Sequence, residues 1–161
     1  MTHDIVFRDA TIVDGSGGSP VHGDVAVDNA LITTVGTVDT RGSREIDLGG
    51  RVLTPGFIDV HTHSDLMLLA QPDHQPKVRQ GITTELTGLD GIGYAPLAET
   101  ERQPFLDYFA ALNGSPDVTG PWDTVNGWLS SFDRKVAVNV AHHVPHGCVR
   151  AAVVGWDDRP A

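Results

Sequence analysis

The chain has a single cysteine, Cys148, among its 161 residues. That excludes an internal disulfide framework and a four-thiolate zinc finger. Basic residues are also scarce: 11 Lys+Arg face 21 Asp+Glu, a formal net charge of -10, and Lys77 and Lys135 are the only lysines. Phosphate-backbone binding runs on clustered Lys and Arg, so neither nucleic acid nor an anionic membrane surface is expected as a partner. No apolar run approaches the length that spans a bilayer. The opening "MTHDIVFRDATIV" lacks the basic and then apolar regions of a secretory signal. A cytoplasmic location is the expectation. What remains is 40% hydrophobic and 20% charged, a globular composition, long enough for one ordinary domain and short for two.

Along the chain, residues 1–54 read as a small β domain. "DIVFRDATIVDG", "GDVAVDNALITTVG" and "REIDLGGRVLTPG" give three or four short strands bounded by Gly, Asn and Asp. Asp28-Asn29 is the expected hairpin turn, and the whole is expected to be an antiparallel, sandwich-like sheet. The character changes at Pro55-Gly56. "FIDVHTH" is a strand candidate, "QPDHQPKVRQG" a loop and short helix closing at Gly81, and "GITTELTGL" a second strand with β-branched content. Phe105, Leu106, Phe109 and Leu112 recur at helical spacing, as do Trp122, Val125, Trp128, Leu129 and Phe132. "KVAVNVA" is a third strand, and "RAAVVG" begins a further element. Strand alternating with helix predicts a parallel sheet with crossover helices. A closed eightfold barrel needs roughly 250 residues, so residues 55–161 are expected to form the first part of such a barrel, within the N-terminal part of a longer enzyme.

The chemistry concentrates in "TPGFIDVHTHSD", residues 54–65. In a strand, residues i and i+2 share a face, so His61 and His63 are expected to point together, with Asp59 deeper on the same side. Two neutral imidazoles side by side suit a divalent metal such as zinc, whereas two imidazolium ions would repel. Their place at the C-terminal end of a strand is also where barrel enzymes carry catalytic groups. Asp59 could orient a ligand histidine through a hydrogen bond or be a buried structural carboxylate.

"TPGFIDVHTHSD", preceded by "VDGSGGSPVHGDVAVDNALITTVG", resembles the opening of the amidohydrolase superfamily. "GITTELTGLDGIGYAPL", "VNVAHHVPHGCVRAAVVG" and "WDDRPA" are similar to its N-acyl-D-amino-acid deacylase (D-aminoacylase) branch. The resemblance covers essentially the whole chain. It implies a small β domain joined to a metal-dependent (β/α)8 barrel, and zinc, as one or two divalent ions. It also implies hydrolysis of the amide bond of small N-acyl-D-amino acid substrates. Carried over residue by residue, it makes His61 and His63 metal ligands. The branch has a metal-binding cysteine in a Gly-Asn-Cys-Gly turn, and the matching turn here, "GLDG", puts Asp90 in the cysteine's place. A carboxylate ligates zinc but is harder than a thiolate; the plainer reading of Asp90 is a turn aspartate beside glycine. The general acid/base aspartate is expected beyond residue 161, so this chain alone is expected to be inactive.

Among the other polar residues, His142, His143 and His146 cluster after the third strand, and His146 matches best as a group lining the substrate pocket or supporting a ligand. Arg150 could meet a substrate carboxylate or serve a structural ion pair. Cys148 reads as a small buried residue, Asp65 as a helix N-terminal or loop acid, and Trp122, Trp128 and Phe132 as core. Glu85 sits inside a strand whose facing the pattern leaves open. Three alternatives to the deacylase stay open. One is a hydantoinase-like or dipeptidase-like enzyme, which would use a carboxylated lysine; another is a non-catalytic metal-binding module; the last is a homologue in which Asp90 no longer binds metal.

Overall fold

The computed structural model describes residues 2–160. They form two compact units, divided between Pro55 and Gly56.

The first unit is one five-stranded sheet built on β1 (His3–Ile12). On one side of it lie β2 (Val21–Asp28) and then β3 (Leu31–Gly36), both antiparallel to their neighbours. On the other side, β4 (Gly42–Asp47) and β5 (Val52–Leu53) run parallel to β1 and pair with successive parts of it. The sheet is therefore mixed, where antiparallel pairing and a sandwich were expected. The reason lies in residues 37–41, which carry the chain from one edge of the sheet to the other, so that β4 returns in the direction of β1. The hairpin turn falls one residue later than expected. Asn29 and Ala30 both take left-handed backbone (φ 49 and 63), the geometry that matches strand twist in a two-residue turn.

A bulge in β1 decides which side chains the sheet buries. The register against β2 slips between Phe7 and Ala10, with Asp9 at φ 55. One extra residue exchanges the faces of a strand. Val6 accordingly packs with Ala26 and Val38, whereas Ala10 and Ile12 pack with Val25 in a separate cluster.

The second unit is a three-stranded parallel sheet in the order β6 (Phe57–Asp59), β7 (Ile82–Thr87), β8 (Asn139–His142). Helices α1 (Asp65–Ala70) and α2 (Gln75–Val78) connect β6 to β7. Gly81, at φ 81, ends that connection. Helices α3 (Glu99–Asn113) and α4 (Val125–Ser130) connect β7 to β8, and α5 (His146–Val154) follows β8. The Thr124 side chain accepts the Gly127 N–H at 3.0 Å and so caps α4. The sheet is open rather than closed.

The core of this unit is aromatic. Trp128 is fully buried, with its ring centroid 5.5 Å from Trp122 and 5.0 Å from Phe132, both edge-on. Edge-to-face pairs of this kind suit the ring quadrupoles. Leu66, Leu68, Tyr94, Ala95, Leu97, Phe105, Val138 and Cys148 complete the cluster. Phe105 is buried and Leu106 and Phe109 pack beside it, but Leu112, on the same predicted stripe, is exposed. Parallel pairing sends the ends of β6, β7 and β8 to one side, so the segments carrying His61, Asp90 and His146 emerge together.

Candidate metal centre

β6 ends at Asp59, so His61 and His63 lie in the loop beyond it and not within the strand. The shortened strand has a local cause. Asp59 turns its carboxylate back to accept the His61 N–H at 3.2 Å, which removes that donor from a sheet ladder. Even so, the two rings stand side by side, with centroids 5.7 Å apart. Asp90 comes from the tight turn Leu89–Gly91 after β7 and takes left-handed backbone, φ 56. For a residue with a side chain that conformation is sparsely populated, and aspartate tolerates it better than most.

The three side chains converge on a point. His61 Nε2 is 3.1 Å and His63 Nε2 3.2 Å from the same Asp90 Oδ2. One donor atom from each residue lies within 4.8 Å of the others, and among the described residues this is the one such group of three His, Cys, Asp or Glu. Two imidazole nitrogens and a carboxylate oxygen are donors that zinc accepts, and zinc commonly takes three protein ligands with one position left open. The donor chemistry and spacing thus fit zinc. His61 and Asp90 are exposed and His63 is half-buried, so the open side faces solvent within this chain.

The remaining sequence candidates divide. Asp59 makes no hydrogen bond to a histidine ring. Its carboxylate is engaged by Lys77 and by the His61 backbone, and the Lys77 ammonium holds it below the usual carboxylate range. Its partners are thus the loop backbone and Lys77. His146 opens α5 beside Gly91 of the Asp90 turn, and its exposed side chain is outside the converging group. Arg150 does not reach toward the site. Its guanidinium donates to the carbonyls of Gly155 (3.2 Å), Asp157 (2.8 Å) and Arg159 (2.8 Å), a structural closure of the chain after α5. Cys148 is buried and donates its S–H to the Gly93 carbonyl at 3.2 Å; burial pushes the thiol up to about 12, which makes it inert.

Sequence reasoning missed what lies beneath the loop. Glu85 faces inward and is fully buried, bonded to His74 and Ser64, with Lys77 close by. The available signal was the acid itself, set in the β-branched run "ITTELT" where a solvent-facing role was as open as an inward one. Asp65, first residue of α1, is also buried, and burial pushes its carboxyl up to about 7. His142 bonds Thr87 Oγ1 at 2.8 Å, and burial drives its ring down to about 4.

Residues 44–159 match the model of the Amidohydrolase family. The N-acyl-D-aspartate deacylase of Alcaligenes xylosoxydans xylosoxydans is 41% identical over 98% of this chain and 31% of its own length. Among solved structures, the N-acyl-D-glutamate deacylase of Bordetella bronchiseptica, complexed with zinc and a phosphonate mimic of the tetrahedral intermediate, superposes with TM-score 0.82. It is 30% identical over 98% of this chain and 32% of its own. A D-aminoacylase described as having a binuclear metal centre, with one-metal activation and second-metal attenuation, superposes with TM-score 0.80. It is 35% identical over 94% of this chain and 31% of its own. The chain spans about a third of the length of these relatives. With the family model matched over most of the sequence, this chain belongs to the amidohydrolase family.

Proposed function

We propose that His61, His63 and Asp90 hold a zinc ion, and that the activity they serve is hydrolysis of the amide bond of N-acyl-D-amino acids. The convergence of both imidazole nitrogens on one Asp90 oxygen carries this reading. When bound, the metal supplies a Lewis acid for the amide carbonyl and activates water for attack on it. The chain's own residues do the holding. His61 and His63 act as neutral donors, and Asp90 adds an anionic oxygen that lowers the charge of the site. The substrate class is that of the deacylase relatives at 30–41% identity. The family resemblance also implies a general acid/base aspartate, a role that none of His61, His63 and Asp90 takes.

On this reading residues 1–54 are the small β domain and residues 55–161 the first units of a (β/α)8 barrel. The parallel order β6-β7-β8 with intervening helices supports it. A small N-acyl amino acid as partner and a cytoplasmic location go with it; among the described residues no helix is long and apolar enough to cross a membrane. Within this segment the carboxylated lysine of a cyclic-amide hydrolase finds no support in Lys77, which is engaged by Asp59 and Thr62 and not by the three donors. The test is hydrolysis by protein expressed from its complete reading frame and loaded with zinc. Release of amino acid from N-acetyl-D-aspartate or N-acetyl-D-glutamate, absent with the L-enantiomers and abolished by chelator, is expected. Opening of a cyclic amide with no release from either D-substrate would contradict the proposal.

A further inference from the structure

Beneath the histidine loop lies a group of charges that metal binding does not itself use. Asp59 and Glu85 are register partners on the neighbouring strands β6 and β7. Two like charges side by side on a sheet destabilise it, and Glu85 is fully buried, where an unpaired carboxylate is costly. Lys77, from α2, resolves the conflict. Its ammonium donates to Asp59 and, at 3.3 Å, to Thr62 Oγ1, and lies 3.9 Å from Glu85. His74 Nε2 stands 2.9 Å from the same Glu85 oxygen, and the other oxygen accepts the Ser64 hydroxyl.

These partners are distributed along the loop in a particular way. Thr62 and Ser64 alternate with His61 and His63. Thr62 is buried, and its hydroxyl is 2.9 Å from that of Ser64. Asp59, tied to Lys77, accepts the His61 N–H. One set of alternate residues is therefore anchored to Glu85 and Lys77 while the other set presents imidazoles to Asp90.

We propose that Glu85 and Lys77 are positioning residues for the metal site: acting through Ser64, Thr62 and Asp59, they fix the loop so that His61 and His63 converge. This inference rests on the zinc reading above and assigns the residues that pre-organise it. Groups behind metal ligands generally set ligand orientation and affinity, and here they act through the backbone and hydroxyls of the loop and not through a hydrogen bond to either ring.

The test is zinc titration, by calorimetry, of the protein expressed from its complete reading frame, with Co2+ absorption spectra of the same proteins reporting ligand geometry. Ser64→Ala and Lys77→Met are expected to weaken zinc by about tenfold or more and to alter the Co2+ spectrum, with far-ultraviolet dichroism unchanged. Ser64→Thr, which keeps the hydroxyl, is expected to restore both affinity and spectrum. Should Lys77→Met fail to fold, the Ser64 pair decides, since it differs by little more than one hydroxyl. Parental affinity and spectrum in Ser64→Ala and Lys77→Met, with binding abolished in His61→Ala, would overturn the positioning role alone. Parental zinc affinity in His61→Ala would overturn the metal reading itself, and the positioning role with it.

Discussion

Lowering the pH should loosen the support of the Asp90 turn through His142. That ring lies against the turn: a Cβ placed on Gly88 would sit 2.7 Å from His142 Cε1. Its proton affinity is depressed from 6.5 to about 4, chiefly by burial and further by neighbouring His143. The native ring therefore stays neutral while the unfolded ring takes up a proton between those two values. The unfolded state binds more protons in that window, so stability is fully present above about pH 6.5 and falls as pH drops toward 4. The full gap corresponds to about 3 kcal/mol at ~1.4 kcal/mol per tenfold in proton affinity. Solvent around a ring that is not fully enclosed reduces the expected loss to about 1–2 kcal/mol. The perturbation is His142→Asn, which removes the titration and keeps a polar atom near Thr87. Urea unfolding of both proteins at neutral pH and at about pH 4.5 reads the effect. Asp65, pushed up to about 7 by burial, acts in the opposite sense, destabilising as pH rises through the same range. Both proteins carry it, so it cancels in the difference. The parent should lose about 1–2 kcal/mol more than the variant on acidification. Parallel pH profiles would refute the reasoning.

The other consequences are simpler. Trp128→Ala removes a fully buried ring at the centre of the aromatic core and should cost about 3–5 kcal/mol in urea unfolding; a loss below about 1 kcal/mol would show that the core does not depend on it. Gly88→Ala forces a side chain onto φ 75, with its Cβ 2.4 Å from the His143 carbonyl oxygen. It should cost about 1–3 kcal/mol and weaken zinc binding through the displaced Asp90, and unchanged zinc affinity would separate the turn from the site. Asp90→Cys supplies a softer donor and should tighten zinc relative to the parent in a chelator competition; weaker binding would mean that the turn cannot aim a thiolate at the histidines.

Local pattern in the sequence was a good guide where a single element decides the outcome. β-branched content marked β7, helical spacing marked α3, and Gly81 marked the end of its connection, because propensity and backbone freedom act within a few residues. It was a poor guide where distant segments decide. The direction of β4 depends on where residues 37–41 return, and the faces of β1 depend on the bulge at Asp9, neither of which periodicity shows. At the candidate site, spacing put His61 and His63 side by side, and the structure keeps them so even though the strand stops short of them. The convergence with Asp90 spans 27 residues and is set by β6-β7 pairing. Glu85 and Lys77 stayed hidden for the same reason: each reads as an ordinary charge until the sheet brings Asp59 alongside Glu85.

Three side chains from two connections make up the proposed zinc site. Its most direct measurement is zinc binding, by calorimetry, to the protein expressed from its complete reading frame and to its His61→Ala, His63→Ala and Asp90→Ala variants. Binding should be lost in both histidine variants and weakened in Asp90→Ala, since each removes one of the donors gathered within 4.8 Å. Zinc affinity unchanged in all three would contradict the account.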